Sequence, residues 1–226
     1  IVMLLDLIMG GNIRDLVVGL LLGIPAVVIC LTFHEAAHGF TAYLLGDRTA
    51  QASGRLTLDP LAHIDPWGFA CMMLLGFGWA RPVPVNISQL KNRRWGMGLV
   101  AAAGPVSNFL LGFVAYIVAL VINIKFYPVS GFSEILTLFF SYIGAMSVGL
   151  GIFNLLPIHP LDGSRTLDAI LPFRLQVRYQ NFMNRYGAII LLAVIAFLWI
   201  GGLSWLIVSA RQTVLNWAFS VVNLFL

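Results

Sequence analysis

Leu16–Gly46 reads LVVGLLLGIPAVVICLTFHEAAHGFTAYLLG, and its two halves say different things. Leu16–Phe33 is eighteen residues without a charge, close to the length that crosses a bilayer. His34-Glu35-Ala-Ala-His38 then follows on the same helical stretch. A spacing of four places two imidazoles one turn apart on one helix face. Two such rings can share a tetrahedral zinc ion, and an intervening Glu can reach its water as a general base. The competing reading is a chance pattern on a solvated helix face. It loses to context, because ionisable groups behind a long apolar run are costly and mark function.

The rest of the chain agrees with a membrane setting. Of 226 residues, 60% are hydrophobic and only 10% charged, against nearer half and a quarter in a soluble domain. One integral membrane unit covering residues 1–226 is expected, all-α and polytopic. Cys30 and Cys71 are too few for a disulfide framework or a zinc finger. Cys30 lies one turn before His34, within approach of a metal, but reads better as a small core residue. The net charge of +4 comes from scattered loop residues. That pattern sets membrane orientation and argues against nucleic acid as a partner. Ile1–Gly10 is too short to span and has no basic flank, so it reads as an interfacial or packed segment rather than a secretory signal.

Core spans are expected at about 16–46, 95–124 and 135–161, with a further helix at 186–210 and an interfacial or short helical tail from Gln212. Asn12 suits an N-cap and Gly46 a helix stop. Pro25 lies inside the first span, where a kink is expected. Pro66–Ala80 is fifteen uncharged residues interrupted by glycines, which suits a re-entrant segment. Leu56–Leu58 and Val83–Asn86 are candidates for short membrane-associated strands.

The basic residues test this topology. If 66–80 returns to the side it left, Arg48, Arg55, Arg81, Lys91, Arg93, Arg94, Arg165, Arg174, Arg178 and Arg185 share one face. Arg14, Lys125 and Arg211 take the other. Ten against three of the thirteen marks the rich face as cytoplasmic. The ends of the first and third spans then lie on the same side.

A catalytic zinc usually has three protein ligands and one open position. The candidates for the third are Asp162, His63, His159, Asp59 and Asp65. Asp162 leads because Pro157 and Pro160 open the backbone just before it and a carboxylate there needs a partner. A turn aspartate before Gly163 is the plain alternative. His63 and His159 are the candidates to support the ligands from behind. Asp47, His63 and Asp65 are candidates to line a polar entrance.

His34-Glu35-Ala-Ala-His38, followed far downstream by Asn154-x-x-Pro157-x-x-Pro160-Leu161-Asp162-Gly163, resembles the site-2 protease family of intramembrane zinc metalloproteases. Gly54–Pro66 and Gly104-Pro-x-x-Asn108 also resemble family segments. The resemblance runs from about Leu16 to Arg165 and is to the compact type without a PDZ or CBS domain. It implies that His34, His38 and Asp162 bind one zinc ion and that Glu35 is the catalytic base. It also implies that Asn108 lies near the site, touching substrate, and that three helices form the catalytic core.

The leading reading is therefore a zinc-dependent endopeptidase of the prokaryotic cell membrane. It would cut single-span membrane proteins within the lipid bilayer, with its active site towards the cytoplasm. A substrate helix must unwind first, and an extended peptide can then add to a strand edge at 56–58 or 83–86. Two other readings are a zinc transporter and a catalytically silent binder of membrane helices. A transporter needs acidic or His-rich groups on both faces, and these residues cluster on one. Glu35 has no role in a silent binder.

Overall fold

The computed structural model describes residues 12–75, 78–128, 130–202 and 204–225. The expected N-terminal segment Ile1–Gly10 lies outside them. The described residues are helical with no sheet. They form α1 (Ile13–Leu44), α2 (Thr49–Ala52), α3 (Pro60–His63), α4 (Pro66–Leu75), α5 (Arg93–Lys125), α6 (Phe132–Leu155), α7 (Asp162–Ile170), α8 (Phe173–Trp199) and α9 (Ser204–Phe225). Within these, Val17–Leu44, Arg93–Lys125, Phe132–Leu155 and Phe173–Leu198 are long and apolar enough to cross a membrane. Large apolar side chains such as Phe40, Leu110, Ile189 and Phe219 point outward, as lipid solvent requires. The protein is a multi-pass integral membrane protein.

Helix α5 is the centre of the bundle and packs against α1, α6, α7 and α9. Its contact face is built from small residues: Gly98, Ala101, Gly104, Gly112, Ala115 and Ala119 are all buried. Lipid gives helices no hydrophobic reason to associate, so close backbone approach must supply the attraction. The fit is tight. A Cβ on Gly112 would sit 2.9 Å from Val148 on α6, and one on Gly98 would sit 2.4 Å from the Ala169 Cβ on α7. Asn92 caps α5 by accepting from the Trp95 N–H at 3.1 Å. Pro25 and Pro105 both lie inside unbroken helices.

Three boundaries differ from expectation. The third span stops at Leu155, because Leu156 precedes Pro157 and is forced to extended backbone (φ −60°, ψ 133°). The run expected as one helix over 186–210 is two: α8 begins early, at Phe173, and ends before Gly201 and Gly202. Gly201 takes a left-handed φ of 81°. The tail is the regular helix α9, with Val214 and Ala218 buried against Tyr116 and Val148. Arg211 lies mid-way along α9 and donates to the Ala145 carbonyl on α6 at 3.1 Å. It therefore packs in the bundle and does not count towards loop charge.

The segment 66–80 leaves and returns at one point. Ile64 and Ala80 form an antiparallel bridge, and the Arg81 N–H donates to the His63 carbonyl at 2.8 Å. Gly68 permits this closure, since a Cβ there would lie 2.0 Å from the Trp79 carbonyl oxygen. The expected strands do not form among the described residues. In the extended stretch 81–86 two N–H groups instead go to side chains: Val83 to Glu35 Oε2 at 3.0 Å and Asn86 to Asp47 Oδ2 at 2.6 Å.

Asp47 was expected to line an entrance, but it is fully buried. It is the knot between the end of α1 and the stretch 81–86. Besides Asn86 it accepts from the Thr49 N–H at 2.9 Å and the Thr49 hydroxyl at 2.5 Å. Burial pushes its pKa up. The Thr49 hydroxyl, the Thr49 N–H and the Asn86 N–H outweigh that and hold it below the usual carboxylate range. A depressed folded-state pKa stabilises above the unfolded value of about 4 and loses that contribution as pH falls further. Asp47→Ala is expected to cost about 1–3 kcal/mol for each buried donor it orphans, read as a lower unfolding midpoint in detergent.

Candidate active site

The site sits on the inner face of α1, where His34, Glu35 and His38 are all nearly buried. The two rings stand edge to face with centroids 4.7 Å apart. The third member comes from 128 residues away. Asp162 is the first residue of α7, and its Oδ2 lies 3.0 Å from His34 Nε2 and 3.2 Å from His38 Nε2. One carboxylate oxygen thus bridges both imidazoles.

Local structure explains how Asp162 gets there. After α6 ends, the turn 156–161 is closed by Ile158 N–H to the Leu156 carbonyl and Leu161 N–H to the Ile158 carbonyl, both at 2.8 Å. The Ser164 hydroxyl donates back to the Leu161 carbonyl at 2.7 Å and fixes the start of α7. Gly163 lets that start press against the end of α6, since a Cβ would fall 2.1 Å from the Leu155 carbonyl oxygen. Helix α7 then lies on α5 through Ala169 and Gly98. Arg94 ties off its far end by donating to the Leu171 carbonyl.

The donor set fits zinc. One ligand atom each from His34, His38 and Asp162 lies within 4.8 Å of the others, and this is the one such group among the described residues. Two imidazole nitrogens and a carboxylate oxygen are a donor set that catalytic zinc sites use. His38 Nδ1 donates to the Val100 carbonyl at 2.7 Å, which leaves Nε2 with its lone pair facing the cluster.

The remaining sequence candidates sit elsewhere. His63 is buried with Nε2 on the Thr57 carbonyl at 2.8 Å. Asp59 accepts from the Leu61 N–H at 3.0 Å and Asp65 from the Gly68 N–H at 2.8 Å, so both are turn and helix caps. His159 faces a polar crevice of about 280 Å³ between α7 and α8, with Arg165, Asp168 and Tyr179. Cys30 meets the Ser147 hydroxyl at 3.0 Å, away from the cluster. Asn108 does lie at the site, but it is fully buried and its Nδ2 is 3.0 Å from His34 Nδ1. Its neighbour is therefore a site histidine.

Sequence reasoning did not find three supports. The Val100 carbonyl orients His38, and a backbone group leaves no signature in a motif. Arg55 Nη2 donates to the carbonyls of Arg81 at 2.7 Å and Pro82 at 3.3 Å, and so holds the stretch whose Val83 N–H meets Glu35. Gly104 faces both rings: a Cβ there would lie 2.5 Å from His38 Nε2 and 2.6 Å from His34 Cε1. The Gly-Pro-x-x-Asn run was the available signal for it. Gly104→Ala is expected to weaken zinc binding by about 10-fold or more, because a methyl group must displace a ring. Gly149→Ala, whose Cβ would lie 3.6 Å from an Arg211 nitrogen, is the control expected to bind normally; chelator competition measures both.

Such a donor cluster, inside a bundle of membrane helices, is what an intramembrane zinc metalloprotease requires. The model of peptidase family M50 matches residues 22–135 and 122–194, and the chain belongs to that family, the site-2 proteases. Its relatives include the Bacillus subtilis (strain 168) protein named "Putative zinc metalloprotease YwhC". The two are 38% identical over 169 residues, covering 74% of this chain and 77% of the relative. Rip2 of Mycolicibacterium smegmatis, whose name carries the same description, is 27% identical over 154 residues. That match covers 66% of this chain and 56% of Rip2. Rip2 of Mycobacterium tuberculosis is 29% identical over 147 residues, covering 62% of this chain and 54% of the relative. No solved structure matches the chain.

Proposed function

We propose that this metalloprotease is an endopeptidase that cuts single-span membrane proteins within the bilayer, at a site on the cytoplasmic side of a prokaryotic cell membrane. In this reading His34, His38 and Asp162 hold zinc, and Glu35 is the general base. The observation that carries it is the meeting of Asp162 with both histidines inside the bundle, one residue from Glu35. When bound, zinc acidifies water and polarises the scissile carbonyl. Glu35 takes a proton from the attacking water and returns it to the departing amine. The stretch 81–86, already extended beside Glu35, offers backbone against which an unwound substrate can lie. The basic loops Arg48, Arg55, Lys91, Arg93 and Arg94, with Arg174, Arg178 and Arg185 of α8, favour a cytoplasmic placement of this end.

A labelled transmembrane peptide in vesicles, incubated with and without a chelator, tests the proposal. Cleavage lost on chelation and restored by zinc is the expected result. Cleavage indifferent to chelation overturns it. A transporter reading predicts zinc flux across the same vesicles instead. It is disfavoured because the described residues hold one metal cluster, where alternating access needs approaches from both faces.

A further inference from the structure

Helix α9 is not among the four apolar spans, yet it lies at their depth. Its Val214 and Ala218 pack against Tyr116 and Val148. Those two residues stand about two turns or more from the ends of α5 and α6. Arg211 is held on the same inner side by the Ala145 carbonyl. The opposite face carries Ser209, Gln212, Thr213, Asn216, Ser220 and Asn223, all exposed. From 209 through 212, 216 and 220 to 223 the steps are three or four residues, which keeps them on one stripe of the helix. Hydrocarbon offers amides and hydroxyls nothing to bond. A stripe of them turned outward at this depth is costly until a second surface meets it.

The chemistry of the stripe specifies that surface. It carries no charge, so it offers a charged partner no counter-charge. The hydroxyls of Thr213 and Ser220 donate to the Ser209 and Asn216 carbonyls one turn back, at 2.8 and 2.9 Å. The amides of Gln212 and Asn216 share one hydrogen bond at 2.9 Å. Whichever way each amide is turned, that bond uses one donor and one acceptor of the pair. Each chain keeps a spare donor and a spare acceptor there. Such a surplus of both kinds is matched by a second copy of itself. The bilayer gives two copies the same orientation, so their twofold axis runs along the membrane normal and the two α9 helices run parallel. Each stripe residue then stands at the height of its twin. We infer that α9 is a homodimerisation surface, on which the Gln212 and Asn216 amides of one chain hydrogen-bond those of its copy. Val208 and Phe219, both exposed beside the stripe, seal the contact from lipid. The donors of the metal cluster come from α1 and α7, so the contact and the zinc site can fail independently.

Cysteine cross-linking in membrane vesicles tests this on the full chain carrying Cys71→Ser, since Cys30 is buried. Ser209→Cys, Asn216→Cys and Asn223→Cys, introduced singly, are expected to give covalent dimers on mild oxidation. Leu110→Cys, at an exposed position on α5, is the control expected to stay monomeric. Cross-linking no greater at the stripe than at position 110 overturns the proposal, as does a stripe that cross-links only to another protein. Sedimentation of the purified chain in detergent is the second measurement. The wild-type chain is expected to form a dimer, and the double variant Gln212→Leu/Asn216→Leu to associate about 10-fold more weakly or worse. A monomeric wild-type chain, or equal association in the variant, overturns it. Zinc affinity is the folding check and is expected to be unchanged in the variant. If the variant does not fold, the single-cysteine cross-links decide alone.

Discussion

Glu35→Gln is expected to bind zinc as the wild-type chain does and to cleave a membrane peptide about 10³-fold more slowly or worse. The argument separates two jobs within one helical turn. The clustered donors are His34, His38 and Asp162, and Glu35 is not among them. Its Oε2 instead accepts from the Val83 N–H at 3.0 Å. Gln keeps the shape and an acceptor oxygen for that N–H, so the local packing survives. It has no carboxylate to take a proton, and general acid–base catalysis is worth roughly 10²–10⁴ in rate. The measurement is paired: zinc content on the purified variant and turnover on the same sample. Normal turnover would remove Glu35 from the mechanism.

Asp162→Ala is expected to do the opposite, losing the metal first and activity with it. A residue that merely supports a ligand is worth about 10- to 100-fold in affinity. In the proposed site Asp162 supplies one of three ligands, so the loss should exceed that range. Two further effects point the same way. Its oxygen is the contact shared by both histidines, at 3.0 and 3.2 Å, so its removal takes that partner from both rings at once. It also opens helix α7, where a negative side chain is favoured by the exposed N–H groups. Chelator competition gives the affinity. A variant that binds zinc like the wild type would show that another group completes the ligand set.

The sequence made the membrane setting and the metal motif legible because both are local. An uncharged run of eighteen residues and a His-x-x-x-His step can be read within one helix. Asp162 was harder, because its place beside His34 depends on where α6 ends, and that is set by Pro157 and by the closure of the 156–161 turn. Proline restrictions gave the break without giving its direction. The helix expected over 186–210 failed at Gly201–Gly202, where apolar composition runs on and backbone conformation does not. Strand readings at 56–58 and 83–86 failed for another reason. At 83–86 the backbone N–H groups of Val83 and Asn86 are claimed by Glu35 and Asp47, a pairing no local pattern contains. Asn108 was expected near the site as a substrate contact, and its contact with His34 became visible only once α5 lay against α1.

Helix α5 contributes no donor to the cluster, yet it determines both rings: the Val100 carbonyl holds one, Asn108 the other, and the missing side chain of Gly104 leaves space for both. The portable unit for anyone transplanting this centre into a designed scaffold is therefore a pair of antiparallel helices together with the start of α7 that brings Asp162. Grafting the ligand-bearing helix alone would copy the letters of the motif and leave the imidazoles free to spin.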